Sequence, residues 1–276
     1  MPELPEVETI RRQLSTVLVG KAVARVEVRR EKSYRGSTAV GGAEIVAIGR
    51  VGKYLHIHFA DGSGWQVHLK MTGRLVYDVP AYAHQPHTRL VVTFADGTRL
   101  YFHDARVFGY FAYHRTLPKV EAQLAASLGP EPWNTEAPAL WRRLQRTRRP
   151  IKTALLDQTL LSGVGNIYAN DGLWKAQIHP ARPASSLSLG EVERLLSSVR
   201  EVMERGLATG GASDNSYVNA RGEKGAYQDE FLVYGRTGQP CRRCGTLLKR
   251  IVVGGRGTWV CEECQGEREK GRENRN

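Results

Sequence analysis

The four cysteines constrain this chain most. They lie at Cys241, Cys244, Cys261 and Cys264, a C-x2-C pair followed sixteen residues later by a second. Each pair forms a knuckle with two thiolates facing one point, and two knuckles supply the four ligands of tetrahedral Zn²⁺. Four thiolates leave no open coordination position, so one structural zinc is expected. The intervening "GTLLKRIVVGGRGTWV" reads as a hairpin with a glycine-rich tip. Arg256 follows that tip. Taken alone it fits a nucleic-acid groove and plain solvation equally well.

The cysteine reading presupposes a reducing compartment. The N-terminus lacks the basic-then-apolar layout of a signal peptide. No apolar run approaches the roughly 18 residues of a membrane span. A soluble, cytoplasmic protein with no membrane partner is therefore expected. With 40 Lys+Arg against 28 Asp+Glu, the formal charge is +12 and favours a polyanionic partner. At 276 residues the chain has room for about two domains.

The periodicity changes near the middle. A helical stripe of Val7, Ile10, Leu14, Val17 and Leu18 runs from Pro5 to about Leu18. Alternating segments follow at 22–28, 54–59, 65–71, 89–94 and 99–104, with Asp61-Gly62 and Asp96-Gly97 as hairpin turns. About eight short strands predict an antiparallel sandwich or barrel. The proline-rich "GPEPWNTEAP" (129–138) reads as a linker. Beyond it "PALWRRLQR", "PIKTALLDQTLL" and "SLGEVERLLSSVREVMERGLA" predict helices, and "SGVGNIYANDGLWKA" turns through Gly163 and Gly165 into another. Ser188 and Glu191 have capping-box spacing. The stretch after Gln265 is charged and apolar-free, predicting a disordered tail over 266–276.

Arg142, Arg143, Arg146, Arg148, Arg149 and Lys152 cluster just before "LLSGVGNIYAN". Such a run is ordinarily a solvated helix face. Beside a glycine turn opening a helix at Asn166, it points to a nucleic-acid backbone site. The opening "MPELPEVETIRRQL" also carries a question. Pro5, Glu6 and Glu8 suit a helix start, but Pro2 and Glu3 lack that explanation. Removal of Met1 leaves proline with a secondary amine, and an α-amino group titrates near pKa 8. Such an amine attacks carbon as Schiff-base lysines do, with Glu3 beside it as acid/base.

Several blocks resemble, in order, those of the formamidopyrimidine-DNA glycosylase family: "PELPEVETIRRQL", "GKYL" (52–55), "HLKMTGRL" (68–75), "DARVFG" (104–109), "LGPEP" (128–132), "GVGNIYAN" (163–170), "IHP" (178–180), "VYGR" (233–236) and the CxxC pairs. The resemblance implies an α+β fold. An N-terminal antiparallel β-sandwich with flanking helices (1–132) is followed by a helical helix–two-turn–helix domain with a lesion-covering loop (133–235) and a four-cysteine zinc finger (236–265), with DNA in the cleft between the two parts.

It also implies a monomeric, nucleoid-associated enzyme acting on damaged double-stranded DNA, excising oxidised purines and cutting the strand by β,δ-elimination. Pro2 then maps to the nucleophile and Glu3 to the acid that protonates the sugar ring oxygen. Glu6 maps to a positioning carboxylate, and Lys53 to a lysine near the reaction. Met71, Arg106 and Phe108 map to the wedge that fills the gap left by a flipped base. His68, Asn166 and Arg256 map to phosphate contacts, with Lys152 and Tyr234 as weaker candidates. Lys70 stands where the family often has glycine and Ala105 where it often has proline. Two other readings remain: the sister type resembling endonuclease VIII, acting on oxidised pyrimidines, and a non-catalytic zinc-dependent binder of DNA or RNA. "LGPEP" and the long 210–227 loop favour the purine enzyme. The binder reading leaves Pro2 and Glu3 unexplained.

Overall fold

The computed structural model describes residues 1–214 and 216–266. The tail expected over 266–276 therefore lies outside the described residues except for Gly266. The chain forms two compact units, 1–129 with 203–230 and 130–202 with 231–276. The stretch 203–230, expected with the helical segment, packs with the first unit because its turn is bonded to the first helix. The backbone N–H of Ala212 donates to Glu6 Oε1 at 2.9 Å, and that of Ala220 to Gln13 Oε1 at 2.9 Å.

The first unit opens with α1 (Leu4–Leu18), which buries Leu4, Val7, Ile10, Leu14 and Leu18. Nine strands follow: β1 (Val23–Val28), β2 (Tyr34–Arg35), β3 (Ile45–Val51), β4 (Tyr54–Phe59), β5 (Gly64–His68), β6 (Arg74–Tyr77), β7 (Thr88–Phe94), β8 (Arg99–His103) and β9 (Tyr110–His114). They form two sheets, ordered β1-β7-β8-β6 and β2-β9-β5-β4-β3. Pairing is antiparallel except for the two-residue β2, which runs parallel to β9.

Alternation sets the inner faces. Leu55, Ile57, Phe59, Trp65, Val67 and Phe111 from one sheet share a core with Leu75, Leu90, Val92, Phe94, Leu100 and Phe102 from the other. Phe102 and Phe111 meet edge-to-face at 5.4 Å. β5 stops at His68, short of the expected 71, because Lys70 turns into the left-handed region at φ +52°. Helix α2 (Leu117–Ser127) lacks a strong amphipathic stripe and only Leu117 is buried, so periodicity does not reveal it.

The second unit contains α3 (Ala137–Leu144), α4 (Ile151–Leu155), α5 (Asn166–Lys175) and much of α6 (Leu189–Ala208). The Ser188–Glu191 capping box forms, with Glu191 N–H donating to Ser188 Oγ at 3.3 Å and Ser188 N–H to Glu191 Oε2 at 2.9 Å. The helix expected over "PIKTALLDQTLL" ends early. Asp157 Oδ1 accepts from Thr159 N at 3.0 Å and Gln158 Oε1 from Gly163 N at 3.0 Å, so side chains take over the backbone donors. β10 (Lys249–Val253) and β11 (Arg256–Val260) form the expected hairpin, followed by the single-turn α7 (Glu262–Gln265). The architecture is α+β. No helix among the described residues is long and apolar enough to cross a membrane.

Candidate functional site

The chain start is built into the first unit rather than frayed. Pro2 is buried, and Glu3, the N-cap of α1, is 2% exposed. Glu3 and Glu6 form a capping box in which Glu3 N–H donates to Glu6 Oε2 at 2.7 Å. The other Glu6 oxygen accepts from Ala212, and Tyr217 donates its hydroxyl to Gly210 O at 3.1 Å. Glu6 thus ties the helix start to the 210–217 loop. Lys53, also buried, lies in the two-residue turn between β3 and β4.

His68 ends β5 and is buried against the edge of Tyr54 at 4.3 Å. Burial, then the nearby Lys70 and Lys53 cations, pushes its pKa down to about 3. Its Nδ1 accepts from Lys70 N at 2.9 Å. A neutral ring accepting at Nδ1 carries its proton on Nε2, so His68 offers one N–H donor there and no charge.

Met71 is half-buried, whereas Arg106 and Phe108 are exposed; Phe108 at 51% is no core residue. The Arg106 guanidinium lies 4.6 Å from the Phe108 ring centroid. Sequence reasoning missed the residue that organises this loop. Asp104, fully buried, accepts from the N–H of Phe108 and Gly109 at 2.8 Å, from Arg106 N at 3.2 Å and from the Thr72 hydroxyl. It stitches the Met71–Thr72 turn to the 105–109 loop. Within that loop Val107 has φ +57°, a genuine outlier for a β-branched side chain. Such strain persists only when the surroundings over-determine it, as the four bonds to Asp104 do. "DARVFG" contains the aspartate, but nothing in its spacing shows four donors converging on it.

In the second unit the four Sγ atoms lie within 4.8 Å of one another. The Cys241–Cys264 and Cys244–Cys261 separations are 3.8 and 3.4 Å. A tetrahedron with Zn–S of about 2.3 Å has edges of roughly 3.8 Å, so the cluster fits one structural zinc, whose four thiolate positions leave nothing open for chemistry. Trp174 donates its indole N–H to Cys241 Sγ at 3.4 Å, and Arg243 its backbone N–H at 3.4 Å.

Arg256 is exposed just past the Gly254–Gly255 turn. Gly254 has φ +57°, and a Cβ there would come within 2.5 Å of Thr153 Oγ1, so only glycine lets the tip seat on α4. Lys152, expected at a phosphate, is instead fully buried. Its Nζ donates to Gly257 O at 2.8 Å and Thr258 Oγ1 at 2.7 Å, because a buried ammonium must find acceptors and the hairpin supplies them.

Asn166 opens α5 and donates from Nδ2 to Gly257 O at 3.2 Å while remaining partly exposed. Asn170 Oδ1 accepts Trp259 N at 2.9 Å. The Tyr234 ring lies tilted against that of Trp259, centroids 4.5 Å apart, and Asp171 fixes its backbone by accepting the N–H groups of Leu232, Val233 and Tyr234 at 3.0–3.1 Å. Asn170 and Asp171 are further supports that the sequence motifs contain without revealing. Of the basic cluster, Arg143 and Arg149 are spent on Thr159 O, Leu160 O and Asp157, while Arg142, Arg146 and Arg148 stay partly or fully exposed.

Comparisons with known proteins cover nearly the whole chain. Residues 1–111 match the formamidopyrimidine-DNA glycosylase N-terminal domain, 128–217 its H2TH domain, and 238–266 the zinc finger found in FPG and IleRS. The formamidopyrimidine-DNA glycosylase of Desulfitobacterium hafniense is 41% identical over 273 residues, covering 96% of this chain and 100% of the relative. That of Thermus thermophilus is 41% identical over 271 residues, covering 97% and 99%.

The crystal structure of MutM (FPG) from Thermus thermophilus superposes with a TM-score of 0.87 at 41% identity, covering 96% and 99% of the two chains. A complex between Lactococcus lactis Fpg and an abasic site containing DNA gives 0.89 at 33% identity, with 96% and 100% coverage. One of the same Lactococcus protein with an oxidized pyrimidine containing DNA gives 0.88 at 34%, with the same coverage. The buried Pro2–Glu3 terminus, the Asp104-held loop and the four-cysteine hairpin therefore occur in a chain matched over nearly its whole length, and that chain belongs to the formamidopyrimidine-DNA glycosylase family.

Proposed function

We propose that this protein excises oxidised purines, 8-oxoguanine and formamidopyrimidines, from duplex DNA and cuts the resulting abasic strand in base excision repair. With Met1 removed, the Pro2 nitrogen attacks C1′ of the damaged nucleotide, the base departs, and an iminium links protein to sugar. Glu3 protonates the ring oxygen as the sugar opens. Lys53 serves the elimination steps and the flanking phosphates. Glu6 holds Glu3 while anchoring the loop that covers the flipped base.

Met71, Arg106 and Phe108 fill the vacated stack, whose opening costs about a few kcal/mol. The Arg106–Phe108 stacking and the exposure of Phe108 support that role. The neutral His68 donates from Nε2 to a phosphate oxygen, and Asn166, Tyr234 and Arg256 add backbone contacts. Lys152 acts one step back, holding the hairpin that carries Arg256. Chemistry belongs to the sandwich domain, 1–132; the helical domain, 133–235, and the zinc finger, 236–265, grip the duplex. The protein acts as a monomer on the nucleoid, in keeping with its +12 charge.

The observation that carries this reading is the burial of Pro2 and Glu3 at the start of α1, beside a Glu6 that reaches Ala212. Borohydride reduction with an 8-oxoguanine duplex tests it. A covalent protein–DNA adduct is expected from protein whose intact mass shows loss of Met1, and none from Pro2→Gly. Absence of any adduct from the unsubstituted protein favours the non-catalytic binder instead. The Lactococcus complex with an oxidized pyrimidine containing DNA keeps a second substrate class in view. Faster excision of thymine glycol than of 8-oxoguanine reverses the lesion assignment.

A further inference from the structure

The steps above leave one charged network in the first unit unused. Glu8, on α1, gathers three guanidiniums. Its Oε2 accepts from Arg11 Nε at 2.9 Å and Arg50 Nε at 3.0 Å, its Oε1 from Arg11 Nη2 and Arg12 Nε at 2.8 Å. Burial alone pushes its carboxyl up, but the bonds from Arg11, Arg12 and Arg50 outweigh that and lower it to about 2. Arg11 and Arg12 are the ordinary partners one helical turn away. Arg50 arrives from β3 and is 11% exposed in its side chain, so its contact with Glu8 is a tertiary one.

The far end of Arg50 explains why it is there. Its Nη1 donates to the carbonyl of Gly52 at 2.8 Å. Val51 pairs with Tyr54 across β3 and β4, so Gly52 and Lys53 are the two loop residues of a two-residue hairpin. Gly52 has φ +55°, as a primed turn requires of its first central position. In such a turn the central peptide is the softest element. Rotating it interconverts the I′ and II′ forms and redirects the second loop residue. The Gly52 carbonyl belongs to that peptide, and Arg50 clamps it.

We propose that Glu8 and Arg50 are positioning residues for Lys53: Glu8 orients Arg50, Arg50 fixes the central peptide of the Gly52–Lys53 turn, and the turn aims the lysine. The inference rests on the assignment of Lys53 to the reaction. Arg50 touches no reacting atom in this scheme and acts wholly through the turn.

A double-mutant cycle on the full-length, zinc-loaded protein tests it. Single-turnover cleavage of a duplex bearing a preformed abasic site is measured for Lys53→Ala, Arg50→Ala and the pair, alongside affinity for the same duplex. Arg50→Ala should slow cleavage by about tenfold to 100-fold, the cost of a misaimed group, with affinity changed less than about threefold. In the Lys53→Ala background it should add nothing, and Arg50→Lys, which keeps one donor, should recover part of the rate.

An Arg50→Ala loss that persists undiminished without Lys53, or an Arg50→Ala rate equal to the unsubstituted protein's, overturns the positioning role. A Lys53→Ala protein at full speed instead strikes the assignment of Lys53 and removes the proposal with it. Should Arg50→Ala fail to fold, Glu8→Gln, which keeps the shape and weakens the hold on Arg50, is put through the same cycle with the same expectations.

Discussion

Trp65 and Trp259 sit on strands of equal length, five residues each, in opposite kinds of surroundings. Trp65 is fully buried, edge-on to Phe59 at 4.7 Å and Phe111 at 5.8 Å, with its indole N–H on the Tyr34 hydroxyl. Trp259 is half-buried, beside Tyr234, with its indole N–H on Thr237. The sandwich is an apolar core that holds itself. The hairpin has a small core of Trp174, Val233, Leu248 and two cysteines, and leans on buried polar side chains and the four-cysteine zinc cluster. One unit therefore rests on apolar packing, while the other is organised by polar anchors around a four-cysteine cluster.

The largest expected effect separates chemistry from grip. Pro2→Gly should reduce strand cleavage to near background while affinity for the lesion duplex stays close to the original. Glu3→Gln should cost between about 10² and 10⁴ in single-turnover base removal. Equal losses of affinity and rate in either variant break the division of labour between the units.

Metal removal should do the reverse. Structural zinc sites contribute on the order of 10 kcal/mol to the folding of small modules, so chelation or Cys244→Ser should unlock the β10–β11 amides in hydrogen exchange and weaken DNA binding. The sandwich amides should keep their protection. Loosening of both units together would show that the sandwich, too, leans on the metal.

Trp65→Ala sharpens the contrast from the other side. Removing a fully buried indole should cost about 3–5 kcal/mol of stability, read as a lower unfolding midpoint of the first unit with zinc content unchanged.

Acid is a milder probe. Burial first, with neighbouring cations and histidines, lowers His56 and His103 to about 4, and His68 stands at about 3. The unfolded chain, with ordinary histidines near 6.5, takes up these protons first. Stability from all three is complete above that value and drains as pH falls through it toward 4. Glu8, lowered to about 2, is lost only at more acid pH, from its ordinary carboxylate range downward. All three histidines belong to the first unit, so that unit should lose roughly a few kcal/mol between pH 7 and pH 5. A sandwich transition flat over that window contradicts neutral burial of these rings.

The smallest effect tests stored strain. Val107→Gly removes a left-handed β-branched residue and should be neutral or stabilising by about 1 kcal/mol, yet slow excision by loosening the loop between Arg106 and Phe108. A variant both less stable and equally fast would mean that Val107 packs rather than strains.

Much of this was legible in the residues. Cysteine spacing is set by knuckle geometry, and strand alternation by the pleat; both are local rules, and both hold here. The capping box at Ser188 and the hairpin turns at Asp61-Gly62 and Asp96-Gly97 are local as well. Helix α2 escaped because its buried face is little more than Leu117. Burial of Lys152 escaped because a lysine in an arginine-rich run looks the same whether it faces solvent or a carbonyl 105 residues away.

The metal ligands, the family blocks and the change from strand to helix periodicity were thus determined by sequence alone, since each depends on neighbours within a turn, a strand or a knuckle. Only the tertiary structure decided which charges are buried and which partners they meet. Thr72 meeting Asp104, Glu6 reaching Ala212 and Glu8 holding Arg50 are encounters between distant segments. They arise because a buried polar group must find a partner wherever the folded backbone brings one, and no spacing along the chain encodes where that will be.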